Sequence, residues 1–162
     1  MDLARLGIAI GAGLGSLGAG IGISMTSTAY GGLAAKKPED RIKAILPLLL
    51  SEALGIYAMI FLFLGIRALN AGILADKILA AGIIFGLGNL GAGVALGGSG
   101  SGMSLGLAEN EKSFMPTLVV TVLGEAIAIY ALVMAIYIMR RKIGFYSQRS
   151  LFFHTLSDAS GR

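Results

Sequence analysis

Four long apolar stretches, about Leu6–Ala35, Ile42–Leu69, Ile73–Ala108 and Phe114–Met139, are separated by short polar segments. Each exceeds the roughly 20 residues that cross a ~30 Å hydrocarbon core, so each predicts a transmembrane helix. Between the first two lies Lys36-Lys37-Pro38-Glu39-Asp40-Arg41, a charged turn containing a proline. Glu109-Asn110-Glu111-Lys112-Ser113 separates the last two, and a segment around Arg67, Asn70, Asp76 and Lys77 joins the two pairs. An even number of spans places both ends of the chain on one side of the membrane. Arg5 before the first run raises the reading of a signal peptide, but the run is longer than a signal core and its sequence recurs later.

That recurrence organises the chain. GLGSLGAG at 13–20 returns as GLGNLGAG at 86–93, an offset of 73 residues. The same offset lays Glu52-Ala53-Leu54-Gly55-Ile56-Tyr57-Ala58 over Glu125-Ala126-Ile127-Ala128-Ile129-Tyr130-Ala131, and loop 36–40 over 109–113. Each unit holds two spans, so the halves have one orientation, a parallel rather than an inverted repeat. The expected fold is an all-α membrane protein of four transmembrane helices, built as two tandem parallel-repeat hairpins, residues 1–72 and 73–142, with a tail at 143–162. Parallel hairpins can continue side by side into a ring.

Composition strengthens this picture. The 162 residues are 56% hydrophobic and only 14% charged, against about a quarter charged in a soluble globule. The absence of cysteine excludes disulfides, thiolate metal sites and a cysteine nucleophile, and the one histidine, His154, lies in the tail. No cofactor or metal site is expected. A formal charge of +4 suggests nucleic acid, but Lys36, Lys37, Arg41 and Lys43, and Arg140, Arg141 and Lys142, cluster between apolar runs. They read as flanks at the membrane interface, not as a nucleic-acid surface.

The first and third spans are studded with glycines four apart: Gly7, Gly11 and Gly15, then Gly18 and Gly22; Gly82 and Gly86, then Gly93 and Gly97. Such spacing lines small residues on one face and lets backbones approach, a main source of packing energy where lipid removes the hydrophobic effect between helices. GxGxxG also occurs at Gly13, Gly15, Gly18 and at Gly86, Gly88, Gly91, yet inside apolar helical runs and with no acidic partner on a following strand, so it fails as a dinucleotide fingerprint.

Glu52 and Glu125 carry the candidate chemistry. A carboxylate near the middle of an apolar span costs about 2.5–3.5 kcal/mol on insertion scales, and two at equivalent positions argue for function over accident. Neither span offers a lysine or arginine in its central turns. The group is then either neutralised by a proton or coordinates a cation; a protonated glutamate acting as interhelical glue is the structural alternative. Tyr57 and Tyr130 follow the glutamates by five residues, near enough for a phenol to bend back toward the carboxyl group. Ser51 is a further candidate ligand in the first half alone, because its counterpart is Gly124.

Together the glycine-rich helix, the Lys-Lys-Pro-Glu turn and Glu-Ala-Leu-Gly-Ile-Tyr in the next span resemble the rotor-ring proteolipids, the c or K subunits of rotary ATP synthases and ATPases. The likeness covers about residues 5–140 and is to the duplicated four-helix form of V-type and archaeal-type enzymes. It implies a homo-oligomeric ring with glycine-rich helices inside and the carboxylate-bearing helices toward lipid. It further implies a non-catalytic subunit in which Glu52 and Glu125 carry ions past a stator subunit that supplies an arginine, with central-stalk subunits at the hairpin loops. A membrane potential contributes about 2.3 kcal/mol per charge per 100 mV, enough over several ions to drive ATP synthesis. Many duplicated members lack the first-hairpin carboxylate, so two sites imply two ions per subunit. Sodium-binding members place a glutamine on the glycine-rich helix, whereas the one glutamine here, Gln148, is in the tail; the expected ion is the proton. The expected setting is a prokaryotic cell membrane, with an endomembrane as the alternative.

Charge alone does not orient the chain. Lys36, Lys37, Arg41, Lys43 and Lys112 lie on the hairpin-loop side, and the eight other basic residues lie opposite; the resemblance places the loops in the cytoplasm. A small proton-coupled multidrug-type transporter is the alternative function, but it needs aromatic substrate walls, and the chain has no tryptophan. A purely structural or pore-forming oligomer explains the glycines and leaves the paired glutamates without a role. An interfacial amphipathic segment is the expectation for 143–162.

Overall fold

The computed structural model describes residues 2–140, so the tail at 143–162 lies outside the described residues. Four helices are long and apolar enough to cross a membrane. Helix α1 spans Leu3–Lys36 and opens on Asp2, whose carboxylate accepts the Ala4 N–H at 3.0 Å, satisfying one of the orphan donors of a helix start. A 3-10 turn at Pro38–Asp40 and a short helix α2, Arg41–Ala44, lead into α3, Leu46–Asn70. Helix α4 spans Ala75–Glu109, and a second 3-10 turn, Glu111–Ser113, leads into α5, Phe114–Met139.

One apolar run read as a single span is therefore interrupted. The expected Ile42–Leu69 helix breaks at Ile45 because Pro47 has no N–H and its ring crowds the carbonyl four residues back. Pro116 does no such damage, since it falls within the first turn of α5, where an N–H has no helical partner anyway. Between the hairpins, α3 ends in a Schellman turn: Gly72 N–H donates to Leu69 O at 3.0 Å and Ile73 N–H to Ala68 O at 3.1 Å. Gly72 sits at φ 72°, a left-handed conformation that a side chain disfavours.

Helix α4 touches all three other spans, while α1 packs on α3 and α4, and α5 packs on α4 and α3. The glycines decide how closely α1 and α4 approach. A Cβ on Gly82 would strike the Gly7 carbonyl, one on Gly93 the Gly18 carbonyl, and one on Gly18 the Asn89 carbonyl. Gly11 and Gly15 instead receive Phe61 and Ala58 of α3, with Phe85 of α4 also against Gly15, and Phe61 stacks on Phe85 at 4.6 Å between centroids. Gly22 lies against Ser51 and Gly93, Gly86 against α1 at Ile10 and Leu14, and Gly97 against Met25. The other two helices expose long apolar side chains, among them Leu49, Ile56 and Phe63 on α3 and Val119, Val133 and Tyr137 on α5. An apolar exterior of that kind suits lipid and would aggregate in water.

The loop ends of the hairpins are tied together. Lys43 bridges Asp40 of its own hairpin, at 3.1 Å, and Glu111 of the other. Lys37 Nζ donates to Leu107 O at 3.1 Å.

Candidate ion-carrying site

Glu52 lies 9 residues beyond Lys43 and 15 before Arg67, and Glu125 lies 13 beyond Lys112 and 15 before Arg140. At about 1.5 Å rise per helical residue, the carboxyl groups are roughly 14–22 Å along the chain from the charged residues that bound their arms. Both glutamates therefore sit at mid-depth of their spans, each flanked on its helix by apolar residues.

Their surroundings differ. Glu125 is half-buried between the hairpins and accepts a hydrogen bond from the Tyr57 hydroxyl at 2.8 Å. Glu52 is exposed on the outer side of α3. Tyr130, the repeat partner of Tyr57, is 64% exposed and makes no hydrogen bond among the described residues. One hairpin's tyrosine thus meets the other hairpin's glutamate, and one tyrosine and one glutamate are left on the outer edges.

This corrects the expectation that each phenol bends back to the glutamate of its own helix. Residues five apart lie about 140° apart around a 3.6-residue helix, so Tyr57 looks across to α5 while Glu52 looks outward. Ser51 is also placed differently from the expectation of a ligand. It is fully buried, donates to Pro47 O at 2.9 Å and rests against Gly22. Its hydroxyl thus closes a helical turn at the inner packing surface.

Asn89 was not a candidate from sequence. It is fully buried on α4, and its Nδ2 donates to Gly15 O at 2.8 Å and to Leu54 O at 3.1 Å, tying three helices together at the level of the glutamates. Its Oδ1 is buried with no hydrogen-bond partner among the described residues; the two carbonyls that Nδ2 serves fix the amide orientation. The signal was present in the repeat: Asn89 replaces Ser16, the single mismatch between GLGSLGAG and GLGNLGAG.

The profile of the ATP synthase C subunit family matches the chain twice, over residues 6–65 and 79–138. The chain belongs to that family. The two matches cover the two hairpins in tandem, each with its glycine-rich helix first and its glutamate-bearing helix second. The chain is 28% identical over 124 residues to the 16 kDa proteolipid (the c subunit) of the V-type proton ATPase of Ovis aries, covering 75% of this chain and 80% of that protein. The human protein of the same name gives the same identity over the same length, with the same coverage of both chains. The Ascaris suum protein is 27% identical over 126 residues, covering 74% of this chain and 78% of its own length. This chain is accordingly a duplicated, multi-pass membrane proteolipid of the rotary ATPase type, with an ion-translocating and not a catalytic part.

Proposed function

We propose that this proteolipid is a rotor-ring subunit that carries protons on Glu52 and Glu125 and so couples ion flow to ATP synthesis or hydrolysis. The Tyr57–Glu125 hydrogen bond carries the reading. It joins hairpin one to hairpin two, and the two hairpins are repeats with one orientation. Repeating the same step brings Tyr130 of one copy onto Glu52 of the next. The exposed tyrosine and the exposed glutamate are then the two halves of an interface between copies, a head-to-tail contact that closes into a ring if the rotation per step divides a full turn. Asn89 supports the same step, since Ser16, its exposed counterpart, would face the previous copy's α4 and α5.

The chemistry follows from the position of the carboxyl groups. A carboxyl group that faces lipid at mid-depth is costly when charged and tolerable when neutral, so it travels through the bilayer protonated. It releases its proton beside a cation, the role proposed for a stator arginine. The group that meets Glu125 is a hydroxyl donor, and neither glycine-rich helix supplies a glutamine; both features favour protons over sodium. Loops 36–45 and 109–113, cross-linked through Lys43, form the platform proposed for the central stalk. Such a rotor works in any energised membrane, prokaryotic or internal.

The multidrug-transporter alternative calls for a substrate cavity beside the carboxylates. An apolar cavity of about 240 Å³ is instead lined by Arg67, Arg140 and neighbouring residues, eleven or more residues along the helices from either glutamate. Labelling of the assembled protein with dicyclohexylcarbodiimide, which attacks protonated carboxyl groups in apolar surroundings, tests the proposal. Adducts at both Glu52 and Glu125, unprotected by sodium, are expected. Sodium protection overturns the choice of ion, and failure of both glutamates to react overturns the carrier role.

A further inference from the structure

The cavity between the outer helices has a makeup that the rotor function does not use. Its walls are apolar, from Leu64 and Ala68 on α3, Ile73 in the connection, and Ile136 and Met139 on α5. Its rim carries two guanidinium groups, Arg67 and Arg140, which occupy the same position in the two repeats. Both side chains are exposed, and neither makes a hydrogen bond or ion pair among the described residues.

Capping the helix ends does not account for them. The last carbonyls of α3 are already occupied: Arg67 O accepts from Ala71 at 2.9 Å, Leu69 O from Gly72 at 3.0 Å, and Ala68 O from Ile73 at 3.1 Å. The Schellman turn thus frees the Arg67 side chain and at the same time folds Ile73 over Ala68 to make the floor of the groove. On α5, the Arg140 N–H already closes on Tyr137 O at 3.3 Å.

We infer that this groove binds one anionic phospholipid, its phosphodiester held by Arg67 and Arg140 and part of one acyl chain lying along the apolar walls. A guanidinium presents paired donors that match phosphate oxygens, and two such groups without partners among the described residues select a negative headgroup. The cavity, about 240 Å³, is below the ~300–1,000 Å³ of sites that enclose drug-sized ligands, which fits a segment of acyl chain entering from the bilayer. The charged ends of the spans lie at headgroup level, where arginine side chains reach the interface. The inference rests on the four spans and not on the rotor proposal, so it stands or falls separately.

Native mass spectrometry of the full-length protein, with phosphatidylglycerol and phosphatidylcholine of equal chain length, reads the preference directly. Each arginine near an anionic headgroup contributes about 1 kcal/mol, so a preference on the order of tenfold or more for phosphatidylglycerol is expected. The Arg67→Gln/Arg140→Gln variant should lose it. Ala68→Phe, which fills the groove and leaves both charges, should weaken retention of the same lipid. A photoactivatable phosphatidylglycerol should mark peptides containing Leu64 or Ile136. Equal retention of the two lipids, a preference that survives loss of both arginines, or labelling confined to other positions overturns the inference. Cross-linking that shows residues 141–162 seated on Ala68 overturns it as well, by assigning the groove to the chain's own tail.

Discussion

Replacing Tyr57 by Phe removes one hydroxyl and leaves the ring, its packing and both glutamates in place. In the structure that hydroxyl donates to Glu125 at 2.8 Å. A hydrogen bond to a neutral acceptor contributes about 1 kcal/mol net, and one to a charged acceptor about 1.5–3 kcal/mol. The bond therefore holds the carboxyl group in its paired position by about 1 kcal/mol or more. Removing it favours the unpaired carboxyl group by roughly fivefold. Carbodiimide must reach a free carboxyl group, so in assembled protein at fixed pH the labelling rate of Glu125 should rise by about that factor. Glu52 should be unaffected, since Tyr57 points away from it. Tyr130→Phe should do the reverse, accelerating Glu52 and sparing Glu125, provided that copies pair head to tail. Peptide mass spectrometry of a labelling time course separates the two sites. A rise at Glu52 on removing Tyr57 would refute the cross-hairpin geometry and restore pairing within one helix. Equal rates at Glu125 with and without the hydroxyl would refute the argument that this bond tunes the site.

Gly93→Ala should destabilise the chain by about 1–3 kcal/mol, because the new methyl meets the Gly18 carbonyl and rigid backbone cannot yield. Gly32→Ala, which meets nothing within 4 Å among the described residues and whose repeat counterpart is the exposed Leu105, should cost nothing, and thermal unfolding in detergent compares the two. Gly72→Ala should cost about 1–2 kcal/mol through its φ of 72° alone, measurable in the same assay without change in carbodiimide labelling. At Asn89, Asp should destabilise well beyond Leu. The acid turns an acceptor toward the Gly15 and Leu54 carbonyls and buries a charge. Leucine removes the unpartnered Oδ1 together with the two donors. Circular dichroism melts of both variants give the order.

Much of the architecture was legible because lipid restricts a chain to few choices. Apolar runs of membrane length, the 73-residue offset and glycines at spacing four specify spans, hairpins and close-packed helices from the sequence alone. The Ile45 break was legible in principle, since Pro47 stands more than one turn into the run Ile42–Leu69. What the pattern left open was which side chain faces which. Spacing of five placed Tyr57 near Glu52 in sequence, but the contact with Glu125 depends on how α3 and α5 pack, a long-range relation that no local rule supplies. Ser51 was misplaced for a similar reason: a hydroxyl beside a glutamate in sequence is turned some 100° from it on a helix, here into the surface against Gly22. The single mismatch at Asn89 within an otherwise matching repeat was a usable signal, because a polar residue replacing another in a glycine-rich packing face has to find partners.

The central claim is that both glutamates carry protons in a rotor. Its most direct test is ATP-driven proton uptake by membrane vesicles holding the intact ATPase complex, with Glu52→Gln or Glu125→Gln present in every copy of this proteolipid. Because each turn of the ring brings every site past the stator, either substitution alone should reduce uptake to background while the ring still assembles. Full uptake with Glu52→Gln and none with Glu125→Gln would contradict the two-site account, and full uptake with both substitutions would contradict the carrier role altogether.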